Sequence, residues 1–101
     1  MSHLKNITII SINVNSILTI ERKMNLIIFI EEHKPDIILL SETKLCKKSK
    51  FEIQGYNIIR NDRNKHGGGT AIILRDNIQY NTINYINYQL RVIECIIVEI
   101  K

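Results

Sequence analysis

Cysteine is scarce in this chain. Cys46 and Cys95 are the only two, and no CxxC spacing joins them. That excludes a disulfide framework and a thiolate zinc site, and it leaves two free thiols suited to a reducing compartment. No uninterrupted apolar stretch is long enough to span a membrane. Residues 1–6 lack the apolar core of a secretory signal, so an intracellular location is expected. No Gly-Lys-Ser/Thr follows the glycines, which excludes a P-loop. No repeat, linker or low-complexity segment interrupts the 101 residues, and residues 1–101 read as a single domain.

What is present is a globular composition. Hydrophobic residues make up 45% and charged residues 24%, too apolar for a disordered chain. Isoleucine is abundant, and β-branched side chains favour strands. The net charge of +4 is compatible with a polyanionic partner, and equally with ordinary surface charge.

Periodicity gives an order of elements. Residues 7–12 (ITIISI) read as a strand buried on both faces, and Asn13 to Ser16 as the turn that ends it. Thr19 is placed to N-cap a helix with Glu21 in its first turn. Ile20, Met24, Ile27 and Ile28 form an apolar stripe along that helix. His33 and Lys34 suit its C-terminal end, and Pro35 closes it. Residues 36–40 (DIILL) read as a second buried strand, so the opening is a βαβ unit with parallel pairing. Residues 41–50 are a lysine-rich loop, 51–56 contain a turn at Gly55, and 56–60 are a short strand. Residues 61–69 form a glycine-ended loop, 70–74 (TAIIL) a strand, and 78–86 a weaker strand after the Asp76-Asn77 turn. Residues 91–100 (RVIECIIVEI) are apolar on both faces and belong inside a covered sheet. The fold class is α/β with a mixed sheet.

Parallel strands side by side bring Asn13 and Asn15 close to Glu42, at the carboxyl ends where open α/β sheets collect ligands. One carboxylate and two amides offer the oxygen ligands that Mg²⁺ takes. A solvated loop glutamate has the same signature, so spacing leaves both readings open.

The ordered strings SINVNSI, KPDIILLSETKL, GYNIIRNDR and GGGTAIILR narrow the choice. Together they resemble the first half of the endonuclease/exonuclease/phosphatase family, and within it the apurinic-type endonuclease domain of non-LTR, jockey-like retrotransposons. The resemblance covers nearly the whole chain. It implies the N-terminal half of a four-layer α/β sandwich, a Mg²⁺-dependent hydrolysis of DNA phosphodiesters, and target nicking ahead of a downstream reverse transcriptase domain. It implies nuclear action where the full element exists. Glu42 matches the family's metal-binding glutamate, and Asn13 the asparagine close to metal and scissile phosphate. Asn15, as a further metal-site residue, stands where the superfamily often has Asp. Ser41 stands where many members have Gln. Glu42 is then the one carboxylate of the metal site in this segment. The family's phosphate-contacting tyrosine, its Asp/Asn pair and its terminal Asp-His pair are expected downstream, so these residues alone are expected to be inactive.

Among basic residues, Lys44, Lys47 and Lys48, with Lys50, cluster after Glu42, and Arg60, Arg63 and Lys65 lie around the glycine loop. The resemblance runs these loops along DNA, with Arg63 in a structural or positioning role; a solvated lysine face has the same composition. His3, His33 and His66 read as surface histidines. His66 to Gly69 superficially resembles an esterase oxyanion loop, but no Gly-x-Ser-x-Gly accompanies it, and the glycines read as suppliers of positive φ. Tyr56, Tyr80, Tyr85 and Tyr88 suit strand-face packing. Two alternatives stay open: a non-catalytic nucleic-acid-binding remnant, and a phosphomonoesterase of the same superfamily, against which the Asp62-Arg63 and glycine strings argue.

Overall fold

The computed structural model describes residues 6–62, 68–83 and 96–101. Its elements are β1 (Ile9–Asn13), α1 (Ile20–His33), β2 (Ile37–Ser41), β3 (Tyr56–Asn61), β4 (Thr70–Arg75), β5 (Tyr80–Ile83) and β6 (Ile97–Ile100). The first four strands form one mixed sheet in the order β1-β2-β4-β3, and β5 pairs with β6 in a second, two-stranded sheet. β1 and β2 are parallel, joined through α1 as the βαβ reading requires. β4 then runs antiparallel to both β2 and β3. The result is an α/β fold with one helix packed on a mixed sheet.

Register sorts the side chains. Ile10 and Ile12 of β1 lie beside Ile38 and Leu40 of β2, which face Ile73 and Ala71 of β4. This face packs with Leu26 and Ile30 of α1, and with Ile17, Leu45, Phe51 and Ile53 from the loops, into the core. The other face carries Ile9, Leu39, Ile72 and Leu74, which with Ile97, Val98 and Ile100 of β6 line a cleft of about 300 Å³. Leu74 is fully buried there, while Ile9 remains 58% exposed.

Two expectations are corrected. β1 is not buried on both faces: it is an edge strand, alternating between exposed and half-buried residues. The helix does not bury the stripe that begins at Ile20. Ile20 is 80% exposed and Met24 and Ile28 are each half exposed, whereas Leu26 and Ile30 are buried and Ile27 and Phe29 partly so. The choice turns on which helix face the sheet meets, and two apolar stripes were available on α1. The segment 51–55 carries the expected turn at Gly55, and its Phe51 and Ile53 are core residues delivered by a loop. Of the expected strand 78–86, Tyr80–Ile83 is strand and 84–86 lie outside the described residues. Of 91–100, Ile97–Ile100 pairs with β5, and 91–95 lie outside them.

The helix ends follow local chemistry. Thr19 Oγ1 accepts the Arg22 N–H at 3.1 Å, Glu21 stands in the first turn and His33 in the last. Lys34 caps the C-terminus in the left-handed region, its N–H donating to the Ile30 carbonyl at 2.7 Å. Pro35 follows, buried, and its carbonyl accepts the Tyr56 hydroxyl at 2.8 Å. Burial raises the Tyr56 pKa, with the nearby Arg75 opposing. Asp36 ties the same end of the sheet. Its carboxylate accepts the Thr8 N–H at 2.8 Å and Arg75 Nε at 3.1 Å, while Arg75 also donates to the Lys34 carbonyl.

Leu26→Ala and Ile30→Ala should each cost about 2–5 kcal/mol by the loss of buried apolar contact. Ile20→Ser and Met24→Ser should stay within about 0.5 kcal/mol of wild type. Urea unfolding of the four variants checks the assignment, and equal losses in both pairs would refute it.

Candidate functional site

The C-terminal edge of the parallel pair is where the backbone becomes unusual. Ladder hydrogen bonds continue past the ends of β1 and β2: Val14 N–H donates to Ser41 O at 3.1 Å, Ser16 N–H to Glu42 O at 2.7 Å, and Ile17 N–H to Thr43 O at 3.0 Å. On the far side, Thr43 N–H donates to Gly69 O at 3.1 Å and Lys44 N–H to Gly68 O at 2.8 Å. Three segments are thereby laced together with Thr43 in the middle. Thr43 is fully buried, and its Oγ1 accepts the Leu45 N–H at 3.4 Å.

Among the described residues, five non-glycine residues have positive φ, and four of them lie here: Asn15 (46°), Ser16 (92°), Glu42 (58°) and Lys44 (59°). Such backbone costs about 1–3 kcal/mol per residue for most types, less for Asn, which tolerates the left-handed region. Gly68 and Gly69, with φ of 72° and 91°, join the same edge. The expectation that the glycine loop supplies positive φ is met at these two; Gly67 lies outside the described residues.

The candidate residues lie along this edge, each side chain with its own partner. Asn13 ends β1 with its Oδ1 accepting the Asn15 N–H at 3.1 Å, an Asx turn. Glu42 Oε2 accepts the Gly68 N–H at 3.2 Å. Asn15 Oδ1 accepts the Lys44 ammonium at 3.0 Å. Register places Asn13, Ser41, Thr70 and Asn61 in one row across the four strands, so the sheet ends in four polar side chains on one face. Thr70 Oγ1 is buried there with no partner among the described residues. A groove of about 400 Å³ runs beside Asn13 between β1 and α1, lined by Ile12, Val14, Arg22 and Phe29. A cavity of about 870 Å³ lies at the opposite end of the sheet around Lys34, Gly55, Tyr56 and Arg75, remote from these residues.

The lysine loop divides into separate roles. Lys44 belongs to the edge itself. Lys47 and Lys48 are exposed in a turn. Lys50 uses its carbonyl to accept Lys23 Nζ at 2.9 Å. The loop is pinned to β3 by Arg60, which donates to the carbonyls of Ser49 at 2.8 Å and Cys46 at 2.9 Å and pairs with Asp62 at 2.6 Å. Asp62 of the Asp-Arg string is therefore a partner of Arg60. Arg63, Lys65 and His66 lie outside the described residues, as do His3 and Cys95. Cys46 is a free, exposed thiol, and its hydrogen bond with the Ser49 hydroxyl lowers its pKa.

Sequence reasoning missed two residues here. Thr43 sits unremarked between Glu42 and Lys44, though a threonine inside a loop is a candidate for local backbone bonding. Arg22 reads as a surface position of the helix, yet its Nη1 donates to the carbonyl of Asn15 at 3.1 Å, with the carbonyls of Val14 and Ser16 each at 3.5 Å. No signal within α1 reveals that contact.

Among the described residues, no three His, Cys, Asp or Glu side chains cluster as a metal site, and no helix is long and apolar enough to cross a membrane. Neither protein-family models nor curated proteins match the chain.

A Cβ at Gly69 would stand 2.4 Å from Thr43 Oγ1, and none would meet anything within 4 Å at Gly55. Gly69→Ala should therefore destabilise more than Gly55→Ala, which carries only the positive-φ cost of about 1–2 kcal/mol. Parallel urea melts compare the two, and equal losses would contradict the close approach. Separately, Cys46 should be alkylated by iodoacetamide at lower pH than free cysteine, because its thiolate forms earlier. Ser49→Ala should move that profile to higher pH; an unmoved profile would remove the hydroxyl as the cause.

Proposed function

We propose that this chain is part of a Mg²⁺-dependent DNA endonuclease of the endonuclease/exonuclease/phosphatase type, of the retrotransposon branch, acting in the nucleus. The observation that carries the reading is the meeting of Asn13, Asn15 and Glu42 at the carboxyl edge of a parallel strand pair. Left-handed backbone concentrated at that edge supports it, since strain of this kind gathers at functional sites.

The donor set suits Mg²⁺ at one residue. Glu42 supplies a hard carboxylate, and Mg²⁺ commonly binds through one or two carboxylates while keeping several waters. Asn13 Oδ1 is engaged by the Asn15 N–H, and Asn15 Oδ1 by Lys44, so Glu42 is the residue that would hold the ion. When bound, the ion would polarise a phosphoryl oxygen. Gly68 N–H orients the Glu42 carboxylate, and the Asx turn at Asn13 fixes the loop beside it. The four-layer sandwich and the Asp-His pair that the resemblance implies would complete the active site, and these 101 residues do not contain such a pair.

A second reading is a nucleic-acid-binding module without catalysis. It is favoured by the single carboxylate of the edge and by the exposed Lys47 and Lys48 on a loop that Arg60 holds in place.

Paramagnetic Mn²⁺, used in place of Mg²⁺, should broaden amide resonances around residues 13–16 and 41–44, and Glu42→Gln should abolish the effect. Broadening that is absent, or that survives Glu42→Gln, would overturn the metal assignment. The chain by itself should not relax supercoiled plasmid with Mg²⁺; relaxation lost in Glu42→Ala would show that it is catalytically complete.

A further inference from the structure

The turn at residues 13–16 is gripped from two sides by cations that come from different elements. Arg22, from the first turn of α1, donates to the Asn15 carbonyl at 3.1 Å. Lys44, from the loop after β2, donates to the Asn15 side-chain oxygen at 3.0 Å. A guanidinium and an ammonium are thus both within hydrogen-bond distance of one residue, and every acceptor they use in the turn is neutral. Among the described residues, no carboxylate lies within ion-pair distance of either. This differs from the other two arginines of the described fold. Arg60 is neutralised by Asp62 and Arg75 by Asp36.

Neutral acceptors fix a cation's position without cancelling its charge. Two positioned and uncompensated charges converging on one turn repel each other, and an anion between them relieves that repulsion. Both groups keep donors beyond those spent on the turn: a guanidinium has five N–H groups and an ammonium three. Such a pair matches the oxygens of a phosphate group. We propose that Arg22 and Lys44 form a phosphate-binding site over the Asn13–Ser16 turn, and that the amide of Asn15 is what keeps it cationic. An aspartate at position 15 would accept from Lys44 in the same way but would pair with it and cancel its charge. The choice of a nucleic-acid phosphodiester as ligand rests on the endonuclease reading; the anion site itself needs neither metal nor Glu42.

The test is binding of a fluorescein-labelled DNA duplex to the full chain in EDTA, by anisotropy, across a range of NaCl concentrations. Lys44→Gln and Arg22→Gln should each reduce the slope of log K against log [salt] by about 1. Lys44→Arg should retain the slope. Asn15→Asp removes no cation, and both residues tolerate the left-handed backbone at that position, yet it should lower the slope by about 1 as well. The slope is read in EDTA and the Mn²⁺ broadening in a separate titration, so failure of the metal assignment and failure of the phosphate site are distinguished. Titration with inorganic phosphate, followed through the Asn15 and Ser16 amides, separates the sources: shifts matching those from DNA assign the site to free phosphate as well, and shifts with DNA alone assign it to the phosphodiester. If Asn15→Asp and Lys44→Gln both keep the wild-type slope, and neither probe moves those amides, the proposal is wrong.

Discussion

The parallel pairing of β1 with β2, carried on by three further backbone hydrogen bonds past the end of β1, is the constraint on which the candidate site depends. A parallel ladder sets both carboxyl ends at one edge, and the extra bonds from Val14, Ser16 and Ile17 keep the two following loops in register. Without them, Asn13 and Glu42 would belong to independent loops. With them, the loops turn sharply, and Asn15, Ser16, Glu42 and Lys44 enter the left-handed region. Thr43 couples this pair to the third segment, where Gly69 has to be glycine because a Cβ there meets the threonine hydroxyl.

Each end of the sheet holds an arginine–aspartate pair, and the two ends differ in the cations left over. At the end holding Lys34 and Tyr56, Arg75 meets Asp36 and the charges cancel. That end reads as architecture: it fastens the start of β2, the end of β4 and the residues preceding β1. At the other end Arg60 pairs with Asp62, but Arg22 and Lys44 bind neutral oxygens and keep their charge, on the same edge as Glu42 and a row of polar side chains. A cavity of about 870 Å³ opens at the first end, but volume alone does not place chemistry. The convergence of a carboxylate, amides and uncompensated cations favours the second.

The candidate residues themselves were legible because a parallel βαβ unit must bring its carboxyl ends together, whatever the side chains do. Asn13, Asn15 and Glu42 followed from that alone. The helix caps were legible for a similar reason, since Thr19 caps through a bond spanning three residues and Pro35 restricts the residue just before it. The glycine loop was legible as positive φ, a property of the residue type. The engagement of Asn15 by Lys44 was not, because it joins positions 29 residues apart. Nor was the role of Arg60, whose spacing from Cys46 and Ser49 has no local signature.

By itself, then, the sequence determined the α/β class, the order of most elements, the parallel opening unit and the shared edge of Asn13, Asn15 and Glu42. These depend on periodicity, chirality and short-range capping, which act within a turn or a single crossover. Only the tertiary structure decided which helix stripe is buried, that β1 lies at an edge, and that β4 separates β2 from β3. It also decided which charges are paired and which stay uncompensated. Those outcomes are set by contacts between residues far apart in the chain, where several apolar stripes and several acceptors compete and packing selects among them.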